Sequence, residues 1–110
     1  MNHERLRRDI LGALLEHPAY TADVPDLRAA LERNGRGAAT DAIRQALAWL
    51  TEARLIVVGK RGNGAPIATL TEDGRDCWLD HRQVPGVGRP ELDSRVVATS
   101  AAAAADILKG

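Results

Sequence analysis

The sequence contains one cysteine, Cys77, among 110 residues. No intramolecular disulfide can form, and a lone cysteine gives no sign of an oxidising compartment, so a cytoplasmic protein is expected. Aromatic residues are scarce at 3%: two Trp, one Tyr and no Phe. The core must be built from Leu, Ile, Val and Ala, and each Trp should be buried for packing. No apolar run reaches the ~18 residues of a membrane-spanning helix, and the opening Met1–Arg8 lacks the apolar stretch of a secretory leader, so no membrane partner is expected. An excess of charge of either sign is also missing. Fifteen basic and fifteen acidic side chains give a formal net charge of zero. That balance counts against a nonspecific nucleic-acid coater, although a neutral protein can still present one basic face.

Motifs of chemistry are missing too. His3, His17 and His81 share no ligand spacing and have no cysteine pair beside them. Ser94 and Ser100 have no base nearby in sequence, and there is no glycine-rich phosphate loop or paired-carboxylate motif. Cys77, next to Trp78, reads as a small buried hydrophobe. No metal, cofactor or enzymatic activity is expected.

What is present is periodicity. Leu6, Ile10, Leu11, Leu14 and Leu15 form one stripe on a helix from Glu4 to about His17, where Pro18 stops it. Tyr20 and Thr21 are expected to be extended. Asp23 then caps a short second helix with Pro25 in its first turn and Val24, Leu27, Ala30 and Leu31 facing inward. Asn34-Gly35-Arg36-Gly37 supplies a helix C-cap and turn. Thr40 is expected to cap a third helix running to about Ala53, with Ile43, Ala46, Leu47 and Leu50 inward and Asp41, Arg44, Gln45, Ala48 and Thr51 outward. Leu55–Val58 and Ile67–Leu70 are β-branched runs joined by the Gly-rich loop 59–66, which predicts an antiparallel hairpin. Thr71 caps a last helix that carries Cys77 and Trp78 inward and ends before Pro85 and Gly86. Trp49 is expected to pack on the hairpin or the last helix, and Trp78 to do the same or to enter a dimer seam.

The composition changes after Gln83. Val84-Pro85-Gly86-Val87-Gly88-Arg89-Pro90 has two prolines and two glycines, so the folded domain is expected to cover 1–83. A linker and an alanine-rich, largely disordered tail would fill 84–110.

The order helix, helix, helix, hairpin, helix predicts an α+β, mainly helical class with the winged helix-turn-helix arrangement. Two helices joined by a tight turn place the second in the major groove of double-stranded DNA. Arg36, Thr40 and the first amides of the third helix suit a phosphate, with Asp41 beside them at its start. Arg44 and Gln45, one turn in, can reach base edges. Lys60, Arg61 and Asn63 at the hairpin tip suit the backbone or minor groove. Any one of these side chains alone is an ordinary solvated surface residue; their coincidence on these elements makes the case.

The run Leu55–Val58, the loop, and Ala68-Thr69-Leu70-Thr71-Glu72-Asp73-Gly74-Arg75-Asp76 resemble the bacterial winged-helix regulators of the MarR, PadR and ArsR kind, whose hairpin often ends in a Leu-Thr-x-x-Gly turn. Arg7-Arg8-Asp9-Ile10-Leu11, Ala46-Leu47-Ala48-Trp49-Leu50 and Val84–Pro90 resemble small winged-helix proteins of Mu-like prophages, over roughly Arg5 to Pro90. The resemblance implies a prophage gene product that binds DNA. With one cysteine it implies no cysteine-based metal switch, and the wing is short for a large ligand cavity.

Two functions follow. The first is a sequence-specific regulator, working as a homodimer because one reading helix covers few base pairs. The alternative is a phage morphogenesis or packaging adaptor whose alanine-rich tail docks on a phage protein, a use that the same fold permits.

Overall fold

The first helix, α1 (His3–Glu16), takes the central place because its stripe is unbroken: Leu6, Ile10, Leu11 and Leu14 are all buried in the computed structural model, which describes residues 3–89. It ends where expected. The His17 ring then bonds the Ala13 carbonyl at 2.7 Å. A 3₁₀ turn, Pro18–Tyr20, reverses the chain. Ala19 and Tyr20 both have φ of 55°, so Tyr20 is part of the turn and is not extended, as the sequence had suggested.

Thr21–Asp23 forms β1, an element that adds a strand to the expected two-stranded hairpin. It pairs antiparallel with β3 (Pro66–Leu70), which pairs in turn with β2 (Ile56–Lys60), giving the order β1-β3-β2. The register sets Ala22 opposite Ala68 and Ala68 opposite Val58, and sets Ile56 opposite Leu70. Ala22, Ala68, Ile56 and Leu70 are buried, which identifies the side of the sheet that meets the helices. The wing itself is shorter than the 59–66 loop, because Gly59, Lys60 and Pro66 already belong to strands.

Between β1 and the hairpin lie α2 (Val24–Arg33) and α3 (Thr40–Glu52). Asp23 caps α2, accepting from Asp26 N at 2.9 Å. Gly35, at φ 72°, closes it with Arg36 N donating to Leu31 O. Both inward stripes are as the periodicity predicts, Val24, Leu27, Ala30 and Leu31 on α2 and Ile43, Ala46, Leu47 and Leu50 on α3. The core is therefore aliphatic, gathered around α1.

The last helix, α4, is short, Glu72–Trp78. It stops well before Pro85, because Asp80 takes φ of 62° and His81 N bonds Asp76 O, and Leu79 is exposed. The following stretch departs from the expected boundary near Gln83. Val87 is buried in the same core, and Gly88 N donates to Glu4 O at 2.9 Å. The packed body thus continues to Gly88. The expected alanine-rich, largely disordered tail and its docking role fall on residues 90–110, outside the described residues. Among the described residues no helix is long and apolar enough to cross a membrane.

Candidate nucleic-acid interface

The candidate site begins at the start of α3, and its capping differs from that of the neighbouring helices. Asp23 caps α2 and Thr71 caps α4 through side-chain bonds to Asp26 N and Gly74 N. Thr40 does not cap α3. The N-cap is Ala39, in an extended conformation, and makes no side-chain cap bond. Thr40 lies inside the helix, and its hydroxyl instead accepts from Arg28 Nη1 on α2 at 3.4 Å. The start of α3 therefore lacks the side-chain cap of its neighbours, where amides and the positive end of the helix dipole coincide.

Arg28 is a residue that the sequence reading overlooked. It lies outside the inward stripe of α2, and its signal in the sequence is a cation one turn into the first helix of the helix-turn-helix. Arg28, Thr40 and Arg44 line one shallow groove of about 290 Å³ between α2 and α3. Arg28 also pairs with Glu32 at 3.5 Å. Both side chains are exposed, so that pair is weak and can be exchanged for another anion.

Farther along α3, Asp41, Arg44, Gln45, Ala48 and Thr51 are all exposed, as the periodicity predicts. Thr51 bonds back to Leu47 O at 2.7 Å. Arg44 and Gln45 are thus free of core duties.

The wing connects to this surface through the start of α2. Asp23 lies opposite Ile67 in the β1–β3 register, one residue from the wing base at Pro66. Arg61 Nη2 reaches Asp23 Oδ2 at 3.8 Å. Lys60 is exposed at the end of β2. Asn63 is spent on the turn, its carboxamide oxygen accepting from Ala65 N at 3.0 Å. Arg61 thus meets the N-cap of α2, the helix whose Arg28 shares a groove with Thr40 and Arg44. Glu32 lines the same groove and limits its positive potential.

Arg36 does not join that group. It pairs with Asp9 on α1 at 3.2 Å and lines grooves that belong to α1. Both tryptophans pack against the core, as expected. Trp49 packs against Arg7 of α1 and Gly86 of the 84–88 segment. Trp78 covers Gly12, where a Cβ would stand 2.6 Å from its ring, and Arg8 stacks 4.4 Å from its centroid. Arg8 is buried and donates to Trp78 O at 2.8 Å, so its charge is engaged in structure. Burial raises the Cys77 thiol pKa against the opposing charge of Arg8, which keeps the sulfur protonated and unreactive. Among the described residues no group of three or more His, Cys, Asp or Glu is placed to hold a metal.

Comparison with solved structures decides the architecture. F93 from STIV, a winged-helix DNA-binding protein, superposes with a TM-score of 0.58 at 17% identity, over 67% of this chain and 79% of that one. This is the winged-helix fold. PadR of Bacillus subtilis, solved in complex with operator DNA, matches at 0.60 and 21% identity over 94% of this chain and 65% of its own. BpsR of Bordetella bronchiseptica, whose DNA binding is regulated by 6-hydroxynicotinic acid, matches at 0.59 and 17%, over 94% and 69%. No family model matches the chain, and no curated protein is detectably similar in sequence.

Proposed function

We propose that this winged helix is a double-stranded DNA-binding transcriptional regulator. In this reading α3 enters the major groove, where Arg44 and Gln45 face base edges, while Arg28, Thr40 and the uncapped amides of α3 hold a phosphate. Lys60 and Arg61 on the wing lie along the backbone or enter the adjacent minor groove. The observation that carries the reading is the groove shared by Arg28, Thr40 and Arg44. Structural neighbours described as DNA-binding support it. Asp41 faces the same side, and its carboxylate would accept from a cytosine amino group or repel a misplaced phosphate.

The finer parts of the proposal are a cytoplasmic homodimer that reads two half-sites, and a prophage origin, which rests on the likeness of Arg7–Leu11, Ala46–Leu50 and Val84–Pro90 to Mu-like prophage proteins. Titration with a mixed-sequence duplex at about 50 mM salt, where phosphate contacts are strong, tests the core of it. Binding that weakens linearly in log salt is expected, and the double change Lys60→Ala and Arg61→Ala should flatten the slope by about two. Absence of binding at that salt would turn the assignment to the protein-adaptor role.

A further inference from the structure

The reading helix is held by more than its core stripe. Ile43, Ala46, Leu47 and Leu50 fix the inward side of α3. Trp49 flanks that stripe, half-buried, one turn after Gln45 on the same strip of helix surface. Two groups remote in sequence close on its indole. The Arg7 guanidinium of α1 lies 4.1 Å from the ring centroid. Gly86 comes so near that a Cβ there would overlap Trp49 Cζ2 and stand 2.8 Å from Cη2. Arg7 Nη1 then donates to the Gly86 carbonyl at 2.9 Å, joining the two groups into one clamp.

Gly86 and Arg7 each show a constraint beyond close packing. Gly86 has φ of 98°, a conformation open to glycine and strained for other residues, so backbone and contact both demand glycine. Arg7 Nε is buried without a hydrogen-bond partner. An unsatisfied buried donor calls for a reason, and the stacking of the guanidinium on Trp49 supplies one. The 84–88 segment that carries Gly86 is anchored by buried Val87 and by the bond from Gly88 N to Glu4 O.

We propose that Arg7, Trp49 and Gly86 are positioning residues for α3, setting its rotation about its own axis and thereby the sequence discrimination of Arg44 and Gln45. The proposal rests on the DNA-binding reading above. Bidentate contacts to base edges need side chains held within about 0.5 Å and 10–20°. Phosphate contacts from long, exposed side chains such as Arg28 and Lys60 tolerate more. Loosening the clamp should therefore cost discrimination before it costs affinity.

The test uses the full chain with Gly86→Ala, and with Arg7→Lys, which keeps the charge but loses the planar stack. Two readouts are taken at a temperature where circular dichroism shows each variant folded. In one, amide hydrogen exchange of Thr40–Glu52 is expected to quicken about tenfold while that of Val24–Arg33 is unchanged. In the other, the ratio of affinities for a duplex selected by the wild type from a randomised pool and for a mixed-sequence duplex should fall about tenfold, a typical coupling magnitude. Affinity for the mixed duplex should stay within about twofold. Adding Trp49→Ala should shrink the effect of Gly86→Ala on α3 exchange, since the overlapping ring is gone and only the backbone strain at position 86 remains. Unchanged α3 exchange in Gly86→Ala and Arg7→Lys, or a parallel fall of both affinities, overturns the proposal. If the wild type binds no duplex, the DNA reading fails, and the exchange data still decide whether the clamp holds α3.

Discussion

Gly74 lies directly against the carbonyl oxygen of Leu55: a Cβ at position 74 would overlap that oxygen and stand 2.7 Å from Leu70 Cδ1. The same carbonyl accepts from Thr71 N at 3.1 Å, and Thr71 Oγ1 donates to Arg54 O at 2.9 Å. The Leu70–Gly74 turn therefore staples the end of α3, the inner strand and α4 at one point. Gly74→Ala should destabilise the fold by about 1–3 kcal/mol through overpacking against backbone that cannot yield. Urea unfolding would show a lower midpoint with an unchanged slope. An unchanged midpoint would mean that α4 can lift away freely.

Capping gives a contrast between two threonines. Thr71 holds Gly74 N, whereas Thr40 caps nothing. Thr71→Ala should cost about 1 kcal/mol, and possession of a second bond to Arg54 O places it toward the upper part of the usual 0.5–2 range. Thr40→Ala should cost less than about 0.5 kcal/mol, as exposed substitutions generally do. Thermal unfolding of the two variants side by side checks the order, and equal losses would contradict it.

Arg28 and Arg44 should differ in kind when each is replaced by Ala. Arg28→Ala should weaken binding to every duplex alike and lower the magnitude of the log–log salt slope by about one. Arg44→Ala should instead lose about 1–3 kcal/mol on the preferred site and little on mixed sequence. Fluorescence anisotropy at several salt concentrations separates the two. A sequence-dependent effect of Arg28→Ala would remove it from the phosphate role.

Cys77 makes stability fall at alkaline pH. Burial holds the folded thiol's pKa above the ordinary value, with Arg8 only partly opposing it. The unfolded chain, with a thiol pKa of about 8.5, loses the proton first. Above that pH the unfolded state binds fewer protons than the folded one, so the contribution present at neutral pH declines as pH rises through the thiol range. Urea midpoints measured from about pH 7 to 10 should fall more steeply for the wild type than for Cys77→Ala. Parallel curves would show that the thiol titrates alike in both states.

Much of the fold was legible because its signals are local. The stripes on α1, α2 and α3, the Asp23 and Thr71 caps and the Gly35 turn each depend on residues a few positions apart. The outward placement of Asp41, Arg44 and Gln45 followed from the same helical period. The misses are long-range. Thr40 was read as a cap because threonine before an apolar stripe commonly is one, but its hydroxyl accepts from Arg28 across the turn. Arg36 stands at the right place in sequence and is claimed by Asp9 on another helix. Val84–Gly88 has the composition of a linker, yet its glycines permit close approach to Trp49 and to α1, and Val87 completes the core. Three residues of β1 were too few to show a period and became a strand only by pairing with β3.

The most direct measurement is the mapping of amide chemical shifts in labelled protein as a short duplex is added. The account predicts that shifts concentrate on Arg28, on the outer side of Thr40–Thr51 and on Lys60–Ala65, with the α1 surface around Asp9 and Arg36 unmoved. Shifts confined to that α1 surface, with α3 and the wing silent, would contradict it.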